Sequence, residues 1–241
     1  HNTPPLPQDV PRSAWPSELL DALADKLSKS FGRFPRRSGA GPGGGRYEHW
    51  ECLSKDHVHA KTVARTLLRL VYGDVPPAVL RAFLSARFVG IPKSNGGVRV
   101  LGPGNVLRRL LGRALVKEFL GSVKTAVGRM QFGVQADGTG KLHRLLTTSV
   151  TIRKGVVVLA ADVKEAFSRL HRSAALQAVA RAAPDLLPVA TALLSRDSHH
   201  VAPDPDGGPS QTVIQRVGLD QGCPWSPGIY SITDRKSTRL N

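Results

Sequence analysis

Cysteine is nearly absent. The 241 residues hold two, Cys52 and Cys223, too few and too far apart for a disulfide framework, which fits a reducing, intracellular compartment. No run approaches the roughly 18 consecutive apolar residues that cross a bilayer, and the start lacks the charged-then-apolar pattern of a secretory signal. The expectation is a soluble protein of cytoplasm or nucleus with no membrane partner. Acidic residues are scarce too: 18 Asp and Glu face 34 Lys and Arg, a formal net charge of +16. That imbalance is the footprint of a polyanion binder, so nucleic acid is the expected partner. Hydrophobic positions make up 41% of the chain, enough at this length for one sizeable domain plus a flexible arm. The first residue, His1, suggests a chain that begins inside a longer reading frame. Nothing in the composition sets an oligomeric state.

The pattern along the chain is mixed α and β. Residues 1 to 50 are broken by six prolines between Pro4 and Pro35 and by the glycines from Gly39 to Gly45, a composition that predicts a mobile arm. One helix interrupts it from Ser17, with Leu19, Leu20, Leu23 and Leu27 at helical spacing and serine placed as N-cap. From Lys61 the apolar pattern is dense. Leu67, Leu68 and Val71 mark one helix, and Pro76 and Pro77 open another. Phe88 to Ile91 and Val98 to Leu101 flank Asn95-Gly96, a strong hairpin signal. Val106 to Leu120 reads as a long amphipathic helix whose basic side carries Arg108, Arg109, Arg113 and Lys117, placed to face a phosphate backbone. The run Val156 to Ala161 predicts a buried strand with Asp162 at its end. Helices over 169 to 183 and 185 to 195, a polar turn over 203 to 210 and a strand over 212 to 217 complete the pattern.

Two stretches carry chemistry. A carboxylate delivered by a buried strand, as at Asp162, suits Mg²⁺ held rigidly for nucleotidyl transfer, in which two ions about 4 Å apart stabilise the attacking and leaving oxygens. The competing reading is a capping box, Asp162 with Glu165 three residues on. The second stretch, Val217 to Gly228, is a glycine- and proline-rich turn of the kind that brings backbone close to a ligand, and an ordinary strand-to-helix turn explains it equally. Gly138-Thr-Gly-Lys141 lacks the first glycine and the final Ser or Thr of a phosphate-binding loop and reads as a helix start. His49, Cys52, His57 and His59 match no common zinc-finger spacing.

Phe88 to Lys93, Arg99 with Gly104 to Leu110, Gln131-Phe-Gly133, Asp162 to Phe167 and Gln221-Gly222 together resemble, in order and spacing, the reverse transcriptases of non-LTR retrotransposons. The resemblance spans roughly residues 85 to 232. It implies an α+β right-hand polymerase fold, with fingers over 60 to 150 and a partial palm over 151 to 232. It implies RNA-directed DNA polymerase activity with Mg²⁺, an RNA template, a DNA primer and deoxynucleoside triphosphates. By position, Asp162 matches the first catalytic metal-binding aspartate, with the Val163 carbonyl a further metal ligand. Phe167 matches the aromatic gate that clashes with a 2′-hydroxyl. Lys93 and Arg99 match the finger cations that grip the triphosphate, and Gln221 and Gly222 match the loop against the nucleotide and template base.

The family's adjacent aspartate pair and its thumb have no counterpart here. Asp234 to Asn241 stands in that place and resembles a translated sequencing adapter. The chain therefore reads as a fragment of a longer polymerase, inactive as it stands. The rival readings are a non-catalytic nucleic-acid-binding protein retaining a polymerase scaffold, and a group II intron type of reverse transcriptase.

Overall fold

The computed structural model describes residues 15–33, 38–72 and 75–234. Its centre is α4 (Val106–Val127), which buries Val106, Leu110, Leu111, Leu115, Phe119 and Val123. These positions recur mainly every four residues, one stripe of a helix. Asn105 caps the helix by accepting from the Leu107 N–H at 2.9 Å. Against it pack α1 (Ser17–Ser28), α2 (His57–Tyr72) and α8 (Ser226–Asp234); α6 (Arg172–Ala182) packs on α8 and on α7 (Leu187–Leu194), which packs on α2, while α3 (Pro77–Leu84) and α5 (Gly138–Ile152) lie beside this group. One core cluster draws on all of these except α3 and α5.

The strands form two antiparallel pairs, β1 (Val89–Pro92) with β2 (Val98–Leu101), and β3 (Ser198–Ala202) with β4 (Gln211–Gln215). The first is the hairpin expected from Asn95-Gly96. Gly96 has a φ of 79°, a left-handed conformation that glycine adopts without penalty. Ala86 to Phe88 stitches the two pairs together: Val201 N–H donates to Ala86 O at 2.8 Å, and Phe88 N–H to Val201 O at 2.8 Å. The chain is thus a mixed α and β protein in which helices form the bulk and two short hairpins lie to one side.

Three expectations are corrected. Residues 15–33 and 38–50 are not a mobile arm: Trp15, Leu23, Leu27, Phe31 and Tyr47 are all buried in the common core. Trp15 stacks on Phe119 with centroids 5.2 Å apart and donates from Nε1 to Asp185 O at 2.8 Å. Proline and glycine limit how much apolar surface a segment offers, yet a few large aromatics at the right places anchor it. Residues 1–14 and 34–37 lie outside the described residues, as does most of the adapter-like tail. Ser17 is the first helical residue, and Pro16 occupies the cap position without a side-chain hydrogen bond.

The second correction concerns Val156 to Ala161, which forms no strand. The segment is irregular and exposed, with Val157 and Leu159 each 91% accessible. A strand of apolar residues on both faces is stable only between covering layers and beside a hydrogen-bonding neighbour, and among the described residues both hairpins are two-stranded. The third correction is the burial of Arg108, described with the site.

Candidate nucleic-acid interface

The structure brings most of the singled-out segments into one region through main-chain bonds. Leu219 N–H donates to Phe167 O and Gly218 N–H to Leu170 O, both at 2.8 Å, while Gly102 N–H, at the foot of the hairpin, donates to Gln221 O at 2.8 Å. The glycine-rich loop therefore lies between the segment after Asp162 and the hairpin bearing Lys93 and Arg99. Gly218 is required for this approach. Its φ is +81°, and a Cβ there would stand 2.4 Å from Ser168 O, so any side chain would force the two segments apart. Gly222, at φ +110°, faces Gly102 across the same contact.

Lys93 and Arg99 are exposed on the two limbs of the hairpin. Arg99 stands opposite Ile91, and Lys93 sits one residue beyond β1, where its N–H donates to Gly97 O at 2.7 Å. Lys93 is near enough to Glu165 to act on it. The Arg169 side chain, bonded to Glu165 Oε2 at 2.8 Å, is the main cause that holds this carboxyl below its usual range, with Lys164 and Lys93 adding to it. Glu165 itself has a φ of +56°, uncommon for a residue with a side chain and a mark of a tight turn in the chain after Asp162.

Phe167 is half-buried, its ring 5.1 Å from that of Tyr230 on α8. Burial is the main cause that raises the Tyr230 hydroxyl above its usual range, and the charges of Asp234 and Asp162 add to the effect. Asp162 thus lies within electrostatic reach of this aromatic pair. It ends no strand and caps no helix, because residues 162 and 163 are irregular and exposed.

Mg²⁺ demands near-octahedral oxygen coordination. Asp162 and the Val163 carbonyl offer two donors on an exposed segment, and among the described residues no three His, Cys, Asp or Glu side chains gather to hold an ion.

The basic face of α4 is narrower than the sequence suggests. Arg108 points inward, where Nη2 donates to Asp220 Oδ2 at 2.8 Å and Nη1 to Leu84 O at 2.6 Å. Both partners are over nine-tenths buried, so Arg108 does not face solvent and is not a phosphate contact. The outer face keeps Arg113 and Lys117 exposed, while Arg109, one turn before them, is half-buried and donates from Nη2 to Gly39 O at 2.6 Å. Arg109 and Arg113 lie over the Tyr47 ring at 5.0 and 5.6 Å, which holds them in place by cation–π attraction.

Sequence reasoning missed the polar network to which Arg108 belongs. Asp220 Oδ1 lies 3.3 Å from His200 Nε2, and that nitrogen is also 2.9 Å from Gln215 Oε1. His200 Nδ1 accepts from the Ala86 N–H at 3.1 Å, so the proton of the neutral ring belongs on Nε2. Burial pushes the Asp220 carboxyl up, but the Arg108 charge and the His200 bond outweigh it and hold the group far below the usual carboxylate range. Arg172 closes the network by donating to Gly218 O, Arg196 O and Ser198 Oγ. Burial dominates there and lowers the Arg172 guanidinium, with the Asp220 and Asp197 charges opposing it. The network fixes the position of the glycine loop from beneath. No protein-family model matches this chain, and no curated protein matches it significantly.

Proposed function

We propose that this chain is a nucleic-acid-binding piece of an RNA-directed DNA polymerase of the non-LTR retrotransposon type, in which the hairpin, the glycine loop and the segment after Asp162 form one nucleotide-facing surface. The observation that carries the reading is the pair of main-chain links, Leu219 to Phe167 and Gly102 to Gln221, which joins motifs far apart along the sequence. In this reading Lys93 and Arg99 grip a triphosphate, Gln221 and Gly222 lie against the nucleotide and template base, and Phe167 reads its sugar. The Arg109, Arg113 and Lys117 face of α4 holds the nucleic-acid backbone. In the parent enzyme Mg²⁺ would supply charge neutralisation at the transferring phosphate, with Asp162 and the Val163 carbonyl among its ligands.

The test is nucleotide binding by the chain itself. A fluorescent deoxynucleoside triphosphate titrated into the protein should bind, and Lys93→Glu combined with Arg99→Glu should weaken that binding at least tenfold, since each substitution replaces an attraction by a repulsion. Equal affinity in wild type and variant would remove the triphosphate role from the hairpin.

A further inference from the structure

The end of α4 and the start of α5 enclose a groove of about 530 Å³ lined by Lys124, Thr125, Gly128, Arg129, Gln135 and Lys141, a size within the range of small-ligand sites. It holds three cations and no lining carboxylate. Among the described residues Lys124 and Arg129 have no ion-pair partner, and Lys141 meets the Gln135 amide oxygen at 3.4 Å and feels the Asp137 charge without pairing to it. The adjacent carboxylate, Asp137, is taken by Arg144 at 2.7 Å, whose hydrogen bond and charge hold it below its usual range. Three like charges around one concavity repel one another unless an anion lies among them.

The groove is also held in shape. Gln135 Nε2 donates to Arg129 O at 2.6 Å and to Gln131 O at 3.4 Å, tying the turn across its own width. Gly128 ends α4 at φ +81°, and a Cβ on Gly138 would come within 1.9 Å of Phe132 O, so glycine alone lets α5 start this close to the turn. Two of the cations therefore stand at the end of α4 and the third on the first turn of α5, set by a fixed connection.

We propose that this groove is a phosphate-binding site that takes the backbone phosphates of a nucleic-acid strand leaving the basic face of α4. The inference rests on the nucleic-acid reading above. It extends the footprint along the same helix, from Lys117 to Lys124 and across to Lys141. Lys141 thereby acquires a role that the Gly138 to Lys141 segment lacks as a nucleotide-binding motif.

The test measures a labelled single-stranded DNA by anisotropy across a salt series, and tripolyphosphate by calorimetry. Wild type is compared with Lys124→Gln/Arg129→Gln/Lys141→Gln and with Arg113→Gln/Lys117→Gln, all exposed positions. The triple variant should show a salt slope shallower by about 2, at about 0.7 for each phosphate no longer neutralised, and should fail to bind tripolyphosphate. The α4 variant should keep tripolyphosphate binding. A triple variant that matches wild type in both assays would overturn the groove and leave the nucleic-acid reading intact. Wild-type binding of tripolyphosphate without DNA would overturn the nucleic-acid source, and binding of neither would overturn both readings together.

Discussion

Asp220→Ala is expected to lower the unfolding free energy by about 3–5 kcal/mol, the typical cost of removing one partner from a buried ion pair. Such a loss is large against the 5–15 kcal/mol that stabilises an ordinary domain. Arg108 is buried, and among the described residues Asp220 is the carboxylate paired with its charge. His200 would lose a neighbour at 3.3 Å in the same step. Urea denaturation at neutral pH measures the difference directly. The pair also makes stability depend on acidity. Because the folded carboxyl is held far below its usual range, the unfolded chain takes up the proton first as pH falls. The stabilisation is complete above the ordinary aspartate value of about 4 and declines as pH drops below it toward the folded value. Asp220→Asn, which titrates in neither state, should show a flatter acid limb than wild type. Equal stability of wild type and Asp220→Ala would mean that the network is not what positions the loop.

The second large effect is catalytic. On a primed RNA template these 241 residues should give no extension product, orders of magnitude below a complete polymerase. Two-metal chemistry needs shared carboxylates in fixed geometry, whereas Asp162 lies on an exposed irregular segment. The other carboxylate acting on Tyr230, Asp234, stands at the last described turn. Single-nucleotide extension with Mg²⁺ checks this. Product that Asp162→Asn abolishes would show that the residues present assemble a working site.

Much of the fold is legible in the sequence wherever local chemistry decides. Asn95-Gly96 dictates its hairpin, Pro76-Pro77 opens α3, and the leucine spacing of 107 to 119 yields α4, whose helix runs on to Val127 because nothing before Gly128 stops it. What escapes is decided over long separations. Asp220 is 112 residues from Arg108, so the amphipathic pattern cannot distinguish this inward arginine from the exposed Arg113. β3 is hidden because Ser198-His-His lacks apolar alternation, and its two buried residues are polar, Ser198 and a His200 satisfied by Ala86 and Gln215. Val156 to Ala161 shows the converse: a strong local β preference is present, but a strand needs a neighbour. At the candidate site the individual segments are readable, while their joining at Gly218, Gln221 and Gly102 emerges only in three dimensions.

If, as proposed, an exposed basic surface of this fold binds nucleic-acid phosphates, binding must weaken as salt rises. With a primer–template duplex, log affinity plotted against log salt should fall with a slope of about −3 to −5, near −0.9 per phosphate neutralised. Arg113→Glu combined with Lys117→Glu should make that slope shallower by about 2. Binding that does not change between low and high salt, or that the double reversal leaves untouched, would mean that this surface does not hold nucleic-acid phosphates.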